Sequence, residues 1–297
     1  MSTLTDPRIV QMGDPVHHRG VTIAPLFPRR DPIAAYVSLE RGLARGLVID
    51  ELDDAGDVSE LRVVNRAADD VLLYEGQELE GAKQDRILDR TVLVAAGATL
   101  VVPVSCVEQG RWRRTSAAFS AAPRASHPNL RRRKAERLLA SAEPGAAQSV
   151  VWDEVAAKAE RLGVRAPTGA QGAAFVEMDE AIAGRATAFR RLPGQCGAVF
   201  GLAGRPVCVD MVSRPEVWAD IHDKLLAGYL LDALEPSLET PTAEDDLAAF
   251  VDRACGLRPE PHPSVGAGRP LRVADAGVVG SGLEVDGELV QLSAHAR

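Results

Sequence analysis

Two dense clusters of polar and charged residues flank an apolar segment, and this pattern constrains the fold more than any other feature of the chain. The first cluster is GQELEGAKQDR (residues 76–86) and the second is PVSCVEQGRW (residues 103–112). Between them, residues 87–94 and 99–104 have the apolar character of two β-strands joined by the short loop AAGA (residues 95–98). The pattern predicts an antiparallel hairpin with both polar clusters at its open end.

The register of this hairpin predicts which polar residues meet. The simplest pairing places Val94 opposite Thr99 and, continued outward, Arg86 beside Val107. The open end then forms a candidate site whose residues come from both clusters: Glu78, Lys83, Gln84, Arg86, Glu108, Arg111 and Trp112.

The cations and the aromatic residue of this candidate site suit an anionic ligand. Lys83, Arg86 and Arg111 supply the donors that bind phosphate or carboxylate groups. Gln84 can orient polar groups of the ligand, and Trp112 offers a face for stacking. Because the chain has no glycine-rich phosphate-binding loop, side chains and turn amides would carry the recognition. We therefore predict a small anionic ligand of nucleotide type, and the sequence defines no cofactor.

The carboxylates of the two clusters allow two interpretations. Glu78 and Glu108 are the candidates for general acid–base catalysis, since neighbouring cations can separate their pKa values. The same residues, together with Glu80, equally suit a rim of solvated salt bridges at a sheet edge. The choice between an enzyme and a non-catalytic scaffold or partner protein, whose polar motifs are structural, stays open at this stage.

The two clusters also carry a family resemblance. They resemble the motifs of the bacterial and archaeal ARPP-1 domain, which is named for its association with ADP-ribosylglycohydrolases and rhodanese-phosphatase proteins. Weaker similarity extends to residues 148–154 and to residues 197–204 with Asp210, so it covers most of the chain. The resemblance implies a place in ADP-ribose or NAD metabolism, with a nucleotide-like small molecule or a protein partner from that metabolism. It implies no particular reaction.

Composition argues against several classes of function. The chain has 297 residues and a net charge of -8, which does not suit a protein that wraps nucleic acid. The N-terminus lacks the apolar core of a signal peptide and no segment is long enough to span a bilayer, so we expect a cytoplasmic protein without membrane contact. The cysteines form no CxxC pair and the histidines show no ligand spacing, so no metal site is predicted.

The thiol of Cys106 is predicted to be part of the core. In its strand, Cys106 shares a face with Leu100, Val102 and Val104, which is typical of a buried thiol rather than a nucleophile. Redox sensing through Cys106 or Cys208 would instead require an exposed thiol of low pKa.

The remaining pattern predicts an α+β protein, with an N-terminal antiparallel β-sheet or sandwich and a helix-rich C-terminal half packed against it. We expect a single ARPP-1-like domain over residues 1–297, with a β-rich part at residues 20–120 and an α+β part at residues 128–297.

Four local predictions accompany this fold. Residues 61–64 and 71–74 are expected to pair as a hairpin, and residues 120–127, rich in Ala, Pro and Ser, are expected to form a loop. A helix is expected over residues 130–140, and its basic run at residues 131–134 is interpreted as a solvated face paired with carboxylates.

Overall fold

A computed structural model describes residues 9–52, 59–141, 143, 145–235 and 238–297. The chain divides into two compact units. Unit 1 contains the described residues of Met1–Ala34, Glu180–Pro263 and Gly268–Arg297, and unit 2 contains those of Ala35–Asp179 and Ser264–Ala267. All seven residues of the predicted site lie in unit 2. The assignment of one domain to the whole chain stays a prediction.

The described part of the chain contains both strands and helices. The strands are β1 (Val10–Met12), β2 (Val16–His18), β3 (Val21–Pro28), β4 (Val37–Ser38), β5 (Leu47–Asp50), β6 (Glu60–Asn65), β7 (Val71–Leu73), β8 (Gln77–Gly81), β9 (Arg86–Leu88), β10 (Val92–Val94), β11 (Thr99–Cys106), β12 (Phe119–Ala125), β13 (Gly197–Leu202), β14 (Arg205–Val212), β15 (Glu260–Pro261), β16 (Arg269–Ala274), β17 (Val278–Val285) and β18 (Glu288–Ala296). The helices are α1 (Leu39–Ala44), α2 (Pro128–Ala140), α3 (Gln148–Arg161), α4 (Gln171–Glu177), α5 (Asp179–Ala186), α6 (Pro215–Ala233) and α7 (Glu244–Gly256).

Unit 1 is built on a nine-stranded antiparallel sheet. Its order is β1-β3-β13-β14-β18-β17-β16-β15, with β2 also paired to β3. A tight turn joins β17 to β18, where Asp286 and Gly287 have φ angles of 49° and 83°. Two successive residues with positive φ give the twist that a two-residue hairpin requires.

Helices pack on both faces of this sheet. On one face, α7 buries Leu247, Phe250 and Val251 in an apolar layer that includes Val199 and Leu292. The spacing of these three helical residues places them on one side of α7, while Glu244, Asp245 and Asp246 in its first turn complement the helix dipole.

A polar contact ties α6 to the opposite face of the sheet. Tyr229 of α6 stacks on Phe200 with ring centroids 4.9 Å apart, and its hydroxyl donates to Asp210 Oδ2 at 2.6 Å. Asp210 is completely buried. This carboxylate, one of the residues that carry the family resemblance, therefore positions a helix within unit 1.

Unit 2 has a β-sandwich core. A six-stranded sheet in the order β12-β8-β9-β11-β6-β5 faces a three-stranded sheet in the order β10-β7-β4. The larger sheet contributes Leu79, Leu88 and Val104 to a shared apolar cluster, and the smaller sheet contributes Leu73 and Val94. The β4–β7 pair is parallel, whereas the other strand pairs of these two sheets are antiparallel.

Helices α2 and α3 cover the outer face of the larger sheet. Leu130 of α2 and Val151 of α3 pack in an apolar cluster with Ile87 of β9 and with Val107, which follows β11. One face of β9 therefore points into the sandwich, and the other points toward these helices.

The predicted hairpin between residues 87–94 and 99–104 is wrong in its pairing. Val94 pairs with β7, and Thr99 pairs with β6. The chain changes direction after β9, where Thr91 Oγ1 accepts a hydrogen bond from the Glu75 amide at 3.1 Å. As a result β10 crosses to the smaller sheet, and of the segment at residues 87–94 only the part in β9 remains paired with β11.

The register between β9 and β11 also differs by one residue from the prediction. Arg86 faces Cys106, and not Val107. A shift of one residue moves every side chain of a strand to the other face. Arg86 consequently lies on the same face as Leu88 and Val104, which point into the sandwich.

Two further local predictions are wrong: the hairpin between residues 61–64 and 71–74, and the loop at residues 120–127. β6 pairs with β5 and β11, and β7 pairs with β4 and β10, so residues 61–74 form no hairpin. The loop predicted at residues 120–127 is mostly strand β12 at the edge of the sheet. Its register shifts between Ala121 and Ala125, and this irregularity accommodates Pro123, which lacks a donor for a regular ladder.

The α+β class is confirmed by the helices and antiparallel sheets of the described residues. The C-terminal half, however, supplies strands β13–β18 as well as helices α3–α7, so it is mixed rather than helix-rich. No helix within the described ranges combines the length and the apolar character that a bilayer span requires.

Candidate functional site

The two polar clusters meet beside the end of β11. The first cluster runs through β8, a turn at residues 82–85 and β9, and the second follows β11 directly. Gln84 Nε2 donates to the carbonyl oxygens of Glu108 at 2.9 Å and Gln109 at 3.3 Å, while the Val107 amide donates to the Asp85 carbonyl at 3.0 Å. Backbone and amide contacts thus fix the turn of one cluster against the other.

Arg111 joins the clusters through a fully engaged guanidinium group. Its Nε donates to Glu108 Oε2 at 2.6 Å, its Nη2 to Asp85 Oδ1 at 2.8 Å, and its Nη1 to the Ala82 carbonyl at 3.0 Å. Burial raises the pKa of Asp85, and the charge of Glu108 adds to this effect. Since each guanidinium nitrogen already has an acceptor in the protein, these contacts favour a positioning role for Arg111.

Glu108 is held from several sides. Besides Arg111, its Oε2 accepts from the Asp85 amide at 3.3 Å, and its Oε1 accepts from Thr168 Oγ1 at 3.1 Å. A β-bridge links Glu108 to Ala170, just before α4. The side chain is almost completely buried.

Glu78 belongs to a second ionic group in the same unit. Arg124 contacts both of its oxygens, with Nη2 to Oε1 at 2.7 Å and Nε to Oε2 at 3.0 Å, and Gln171 Nε2 donates to Oε2 at 2.6 Å. Arg124 also pairs with the half-exposed Glu80. Burial raises the pKa of Glu78, although the charge and hydrogen bonds of Arg124 act in the opposite direction.

Arg124 and Gln171 are not among the site residues predicted from the sequence. Arg124 falls in the segment predicted as a loop, and Gln171 lies 93 residues from its partner Glu78. The nearest sequence signal is Gly172, which follows Gln171: a Cβ atom there would lie very close to Arg124 Nη2. Glycine at that position allows the arginine to pack closely against α4.

Arg86 has the most unusual environment of the predicted cations. Its side chain is completely buried, and Nη1 donates to the Gln84 carbonyl at 3.0 Å. Within the described residues its Nε and Nη2 have no hydrogen-bond acceptor, and Nη2 lies 4.0 Å from Glu51 Oε1. Burial lowers the pKa of Arg86. The Glu51 carboxylate also accepts from the Lys83 amide at 3.4 Å, so it connects Arg86 to the turn that carries Lys83.

Lys83 and Trp112 form the accessible part of the site. The Lys83 ammonium lies 5.2 Å from the centroid of the Trp112 ring, within the range of a cation–π contact. Trp112 is 53% exposed, and it is the sole aromatic residue among the exposed large hydrophobic side chains of the described residues. Arg113 and Arg114 follow it in the same exposed segment.

A family model matches the chain over almost its entire length. The model for the ARPP-1 domain, the ARG and Rhodanese-Phosphatase-superfamily-associated Protein domain, matches residues 9–295. The chain belongs to the ARPP-1 family. No curated protein and no solved structure matches it. The family name associates these domains with ARG and rhodanese-phosphatase-superfamily proteins, which implies a connection to ADP-ribose metabolism and specifies no reaction.

The cysteines of this ARPP-1 protein are free and buried. The sulfur of Cys106 accepts from the Glu108 amide at 3.4 Å, and Gln148 binds both the amide and the carbonyl of Cys106. Burial raises the pKa of Cys106. Cys208 is also completely buried. The exposure that a redox sensor needs is therefore absent at both residues.

A buried ionic network on the α2 side of unit 2 corrects the interpretation of the basic run at residues 131–134. Arg131 donates to Glu75 Oε1 from Nε at 2.9 Å and from Nη2 at 2.7 Å, and Lys134 Nζ lies 3.2 Å from Glu75 Oε2. Lys134 also donates to the Leu88 carbonyl at 2.7 Å. Arg131 and Lys134 are buried, so the expected pairing with carboxylates occurs, but the face is not solvated.

The same helix contributes to an ionic cluster with α3 that predicts a dependence of stability on pH. Glu154 is buried and accepts from Arg161 Nη2 at 2.6 Å and Arg133 Nη1 at 2.5 Å. Burial opposes ionisation, but these hydrogen bonds outweigh it and lower the pKa of Glu154. A carboxyl group with a lowered pKa in the folded state stabilises the protein above its unfolded pKa, and this contribution is lost as the pH falls through the folded pKa.

We therefore expect Glu154→Gln to lower the free energy of unfolding at pH 7 by about 1.5–3 kcal/mol, the range for hydrogen bonds to charged groups. Below the ordinary pKa of a glutamate, about 4.3, the difference between the variant and the wild type is expected to shrink. Urea denaturation at pH 7, 5, 4 and 3.5 measures both quantities. A difference that stays constant over this series contradicts the assignment.

No group of three or more His, Cys, Asp or Glu residues suited to a metal ion occurs in the part of the chain that the structure describes. The carboxylates of the candidate site instead face arginines: Glu108 and Asp85 face Arg111, and Glu78 faces Arg124. The site therefore combines an internally paired ionic framework with the exposed Trp112 ring, which has the partly exposed Lys83 ammonium beside it.

Proposed function

We propose that unit 2 of this ARPP-1 protein binds a small anionic ligand of the ADP-ribose or nucleotide type beside Lys83 and Trp112. One observation carries the proposal: an exposed tryptophan with a lysine ammonium 5.2 Å from its ring centroid. Stacking on an aromatic face recognises a planar base, and a nearby cation recognises phosphate. The family name, which links ARPP-1 domains to ADP-ribose metabolism, supports the same class of ligand.

The other predicted residues would act behind this surface. Arg111 and Gln84 hold the turn and the following segment in place through contacts with Glu108 and Asp85. The side chain of Arg86 has no exposed surface, so it would make no direct contact with the ligand. Its contribution would be its positive charge, from beneath the turn. Direct contacts with the ligand are therefore proposed for Lys83 and Trp112, with Arg113 and Arg114 as neighbouring donors.

Acid–base chemistry at Glu78 and Glu108 stays a prediction. Both carboxylates are buried and hydrogen-bonded to arginine side chains. A reaction at either residue would require a ligand that reaches the buried ion pair of Glu78 with Arg124 or that of Glu108 with Arg111. Burial raises the pKa of Glu78, which is the direction that a general acid requires.

A non-catalytic scaffold is the second candidate function. The observation that favours it is the saturation of Arg111, whose guanidinium nitrogens all bond within the protein. In that case the polar motifs maintain unit 2, and the protein acts as a partner of an enzyme of ADP-ribose metabolism. Glu108→Gln would then lower the melting temperature, and no nucleotide would bind.

A thermal-shift screen distinguishes the two candidates. The purified protein is heated with ADP-ribose, NAD, AMP or inorganic phosphate, and the ligand-binding account expects at least one nucleotide to raise its melting temperature. A ligand at 100 times its Kd adds about 2.7 kcal/mol to the free energy of unfolding. Absence of a shift with all four compounds favours the scaffold.

The variants for this screen follow from burial. Charge reversal at Arg86 is unsuitable because it would place a carboxylate in a completely buried position. Trp112→Ala and Lys83→Met are suitable, because Trp112 is exposed and the Lys83 side chain is partly exposed. Both variants are expected to keep the melting temperature of the free protein within a few degrees and to lose most of the ligand-induced shift.

A further inference from the structure

One end of the unit 1 sheet contains a cavity that the proposed function does not use. β3 ends there at Pro28, β14 ends nearby at Val212, and β18 begins at Glu288. The cavity has a volume of about 170 Å³, and every residue that lines it belongs to unit 1. It lies outside the polar clusters that define the candidate site in unit 2.

The cavity exists because a loop is held across the strand ends without filling the space. Glu288 Oε2 accepts from the amides of Ile33 at 2.9 Å and Ala34 at 2.7 Å. Arg214 Nη1 donates to the Ala34 carbonyl at 2.9 Å. These contacts fix the loop after β3 from two sides. The space beneath it is consequently part of the folded structure of unit 1.

The floor of the cavity is apolar and uncharged. It is formed by the buried residues Val10, Cys196, Met211 and Leu289. Burial raises the pKa of Cys196 to about 12, so this thiol is neutral at physiological pH. The backbone amide of Cys196 already donates to the Leu26 carbonyl at 2.8 Å. An apolar cavity of about 150 Å³ is large enough to bind benzene, so this floor suits a ring or a short aliphatic chain.

The rim of the cavity carries an excess of negative charge. Asp31 and Asp286 are exposed at its mouth, and Glu288 lies beside them. Arg30 offsets one of these charges. An occupant with a positive end would therefore be favoured over a neutral or anionic one of the same shape.

We propose that this cavity binds a small amine whose apolar body is about the size of one six-membered ring. The apolar floor takes the body, and the carboxylates of Asp31 and Asp286 face the ammonium group. Most of the affinity comes from burial of the ring. Exposed carboxylates add a smaller contribution, which we expect to favour an amine over an isosteric alcohol by about fivefold.

The methionines of the chain provide a local probe for this proposal. The sequence contains four, of which Met211 lines the cavity, whereas Met178 lies in unit 2. In protein labelled with ¹³C at the methionine methyl groups, benzylamine is expected to shift the Met211 resonance saturably and to leave that of Met178 unchanged. Benzyl alcohol should produce the same shift at about fivefold higher concentration, and benzoate should bind more weakly still. The Met211 resonance is assigned with Met211→Leu.

The double variant Asp31→Asn/Asp286→Asn tests the role of the rim. Both positions are exposed, and asparagine tolerates the φ of 49° at Asp286, so folding should be preserved. The variant is expected to bind benzyl alcohol as the wild type does and to lose its preference for benzylamine. Three results would overturn the proposal: an unmoved Met211 resonance with every probe, equal binding of benzoate and benzylamine to the wild type, or an unchanged amine preference in the double variant.

Discussion

Replacement of Arg124 by methionine is expected to lower the free energy of unfolding by about 3–5 kcal/mol, the usual cost of removing one partner from a buried ion pair. Arg124 contacts both oxygens of Glu78, whose side chain has no exposed surface. Without the guanidinium group, the hydrogen bond from Gln171 is the one contact that the described residues still provide to the Glu78 carboxylate. The pKa of Glu78 should then rise further, because the charge that opposes the effect of burial is absent.

Urea denaturation measures this effect, and Arg62→Met is the matched control. Arg62 also contacts both oxygens of a carboxylate, that of Asp50, but its side chain is 44% exposed. The control should leave the free energy of unfolding nearly unchanged, since exposed ion pairs contribute little. If the two variants have the same stability, the Glu78–Arg124 pair is not a buried structural element. The double variant Glu78→Gln/Arg124→Met should recover part of the loss because it removes the unpaired charge.

Glu75→Gln is expected to have an effect of similar size, again about 3–5 kcal/mol. The carboxylate of Glu75 is shared by Arg131 and Lys134, which are 0% and 1% exposed. A neutral amide cannot compensate two buried cations, and one end of that amide would also present hydrogen atoms to them. Asp89 remains, but its carboxylate lies 4.0 Å from the lysine ammonium.

The control for this variant lies on α2, the helix that carries Arg131 and Lys134. Glu136 pairs with Arg132 at the i, i+4 spacing, and both side chains are 30% exposed. Glu136→Gln should therefore change the denaturation midpoint only slightly. Equal midpoints for Glu75→Gln and the wild type would mean that the basic run of α2 is solvated, as the sequence pattern had predicted.

The sequence predicted the parts of the site that local pattern determines. The turn at residues 82–85 and the segment after β11 belong to two polar motifs that are close in sequence, so their meeting could be anticipated. The pairing of β10 could not, because Val94 would suit either sheet, and the choice depends on contacts such as that of Thr91 with Glu75. Pairing of short apolar strands is decided by the whole sandwich and not by the loop between them.

The burial of charged side chains was the property least predictable from the sequence. Arg131 and Lys134 look like surface residues because arginine and lysine are almost never fully buried unless paired. Their partner Glu75 is 56 residues away from Arg131. In the same way, Arg124 and Gln171 reach Glu78 from 46 and 93 residues away. Such long-range ionic contacts leave no periodic signal in a single sequence.

This distribution of charges explains why the proposed ligand surface is small. Most charged groups of the two motifs are engaged within unit 2, and they form a framework rather than a set of free donors. Trp112 is exposed, and the partly exposed Lys83 places its ammonium group 5.2 Å from the Trp112 ring centroid. The proposed binding function therefore depends on these two residues more than on the buried arginines.

The most direct test is a calorimetric titration of ADP-ribose into the wild type, Trp112→Ala and Arg66→Met. Arg66 is an exposed control cation that follows β6, which pairs with the Thr99 end of β11, whereas Trp112 follows the Cys106 end. We predict measurable binding by the wild type and by Arg66→Met, and at least about tenfold weaker binding by Trp112→Ala, as the loss of one stacking contact implies. Equal affinities for all three proteins, or no heat with the folded wild type, would contradict a nucleotide-type site at Lys83 and Trp112.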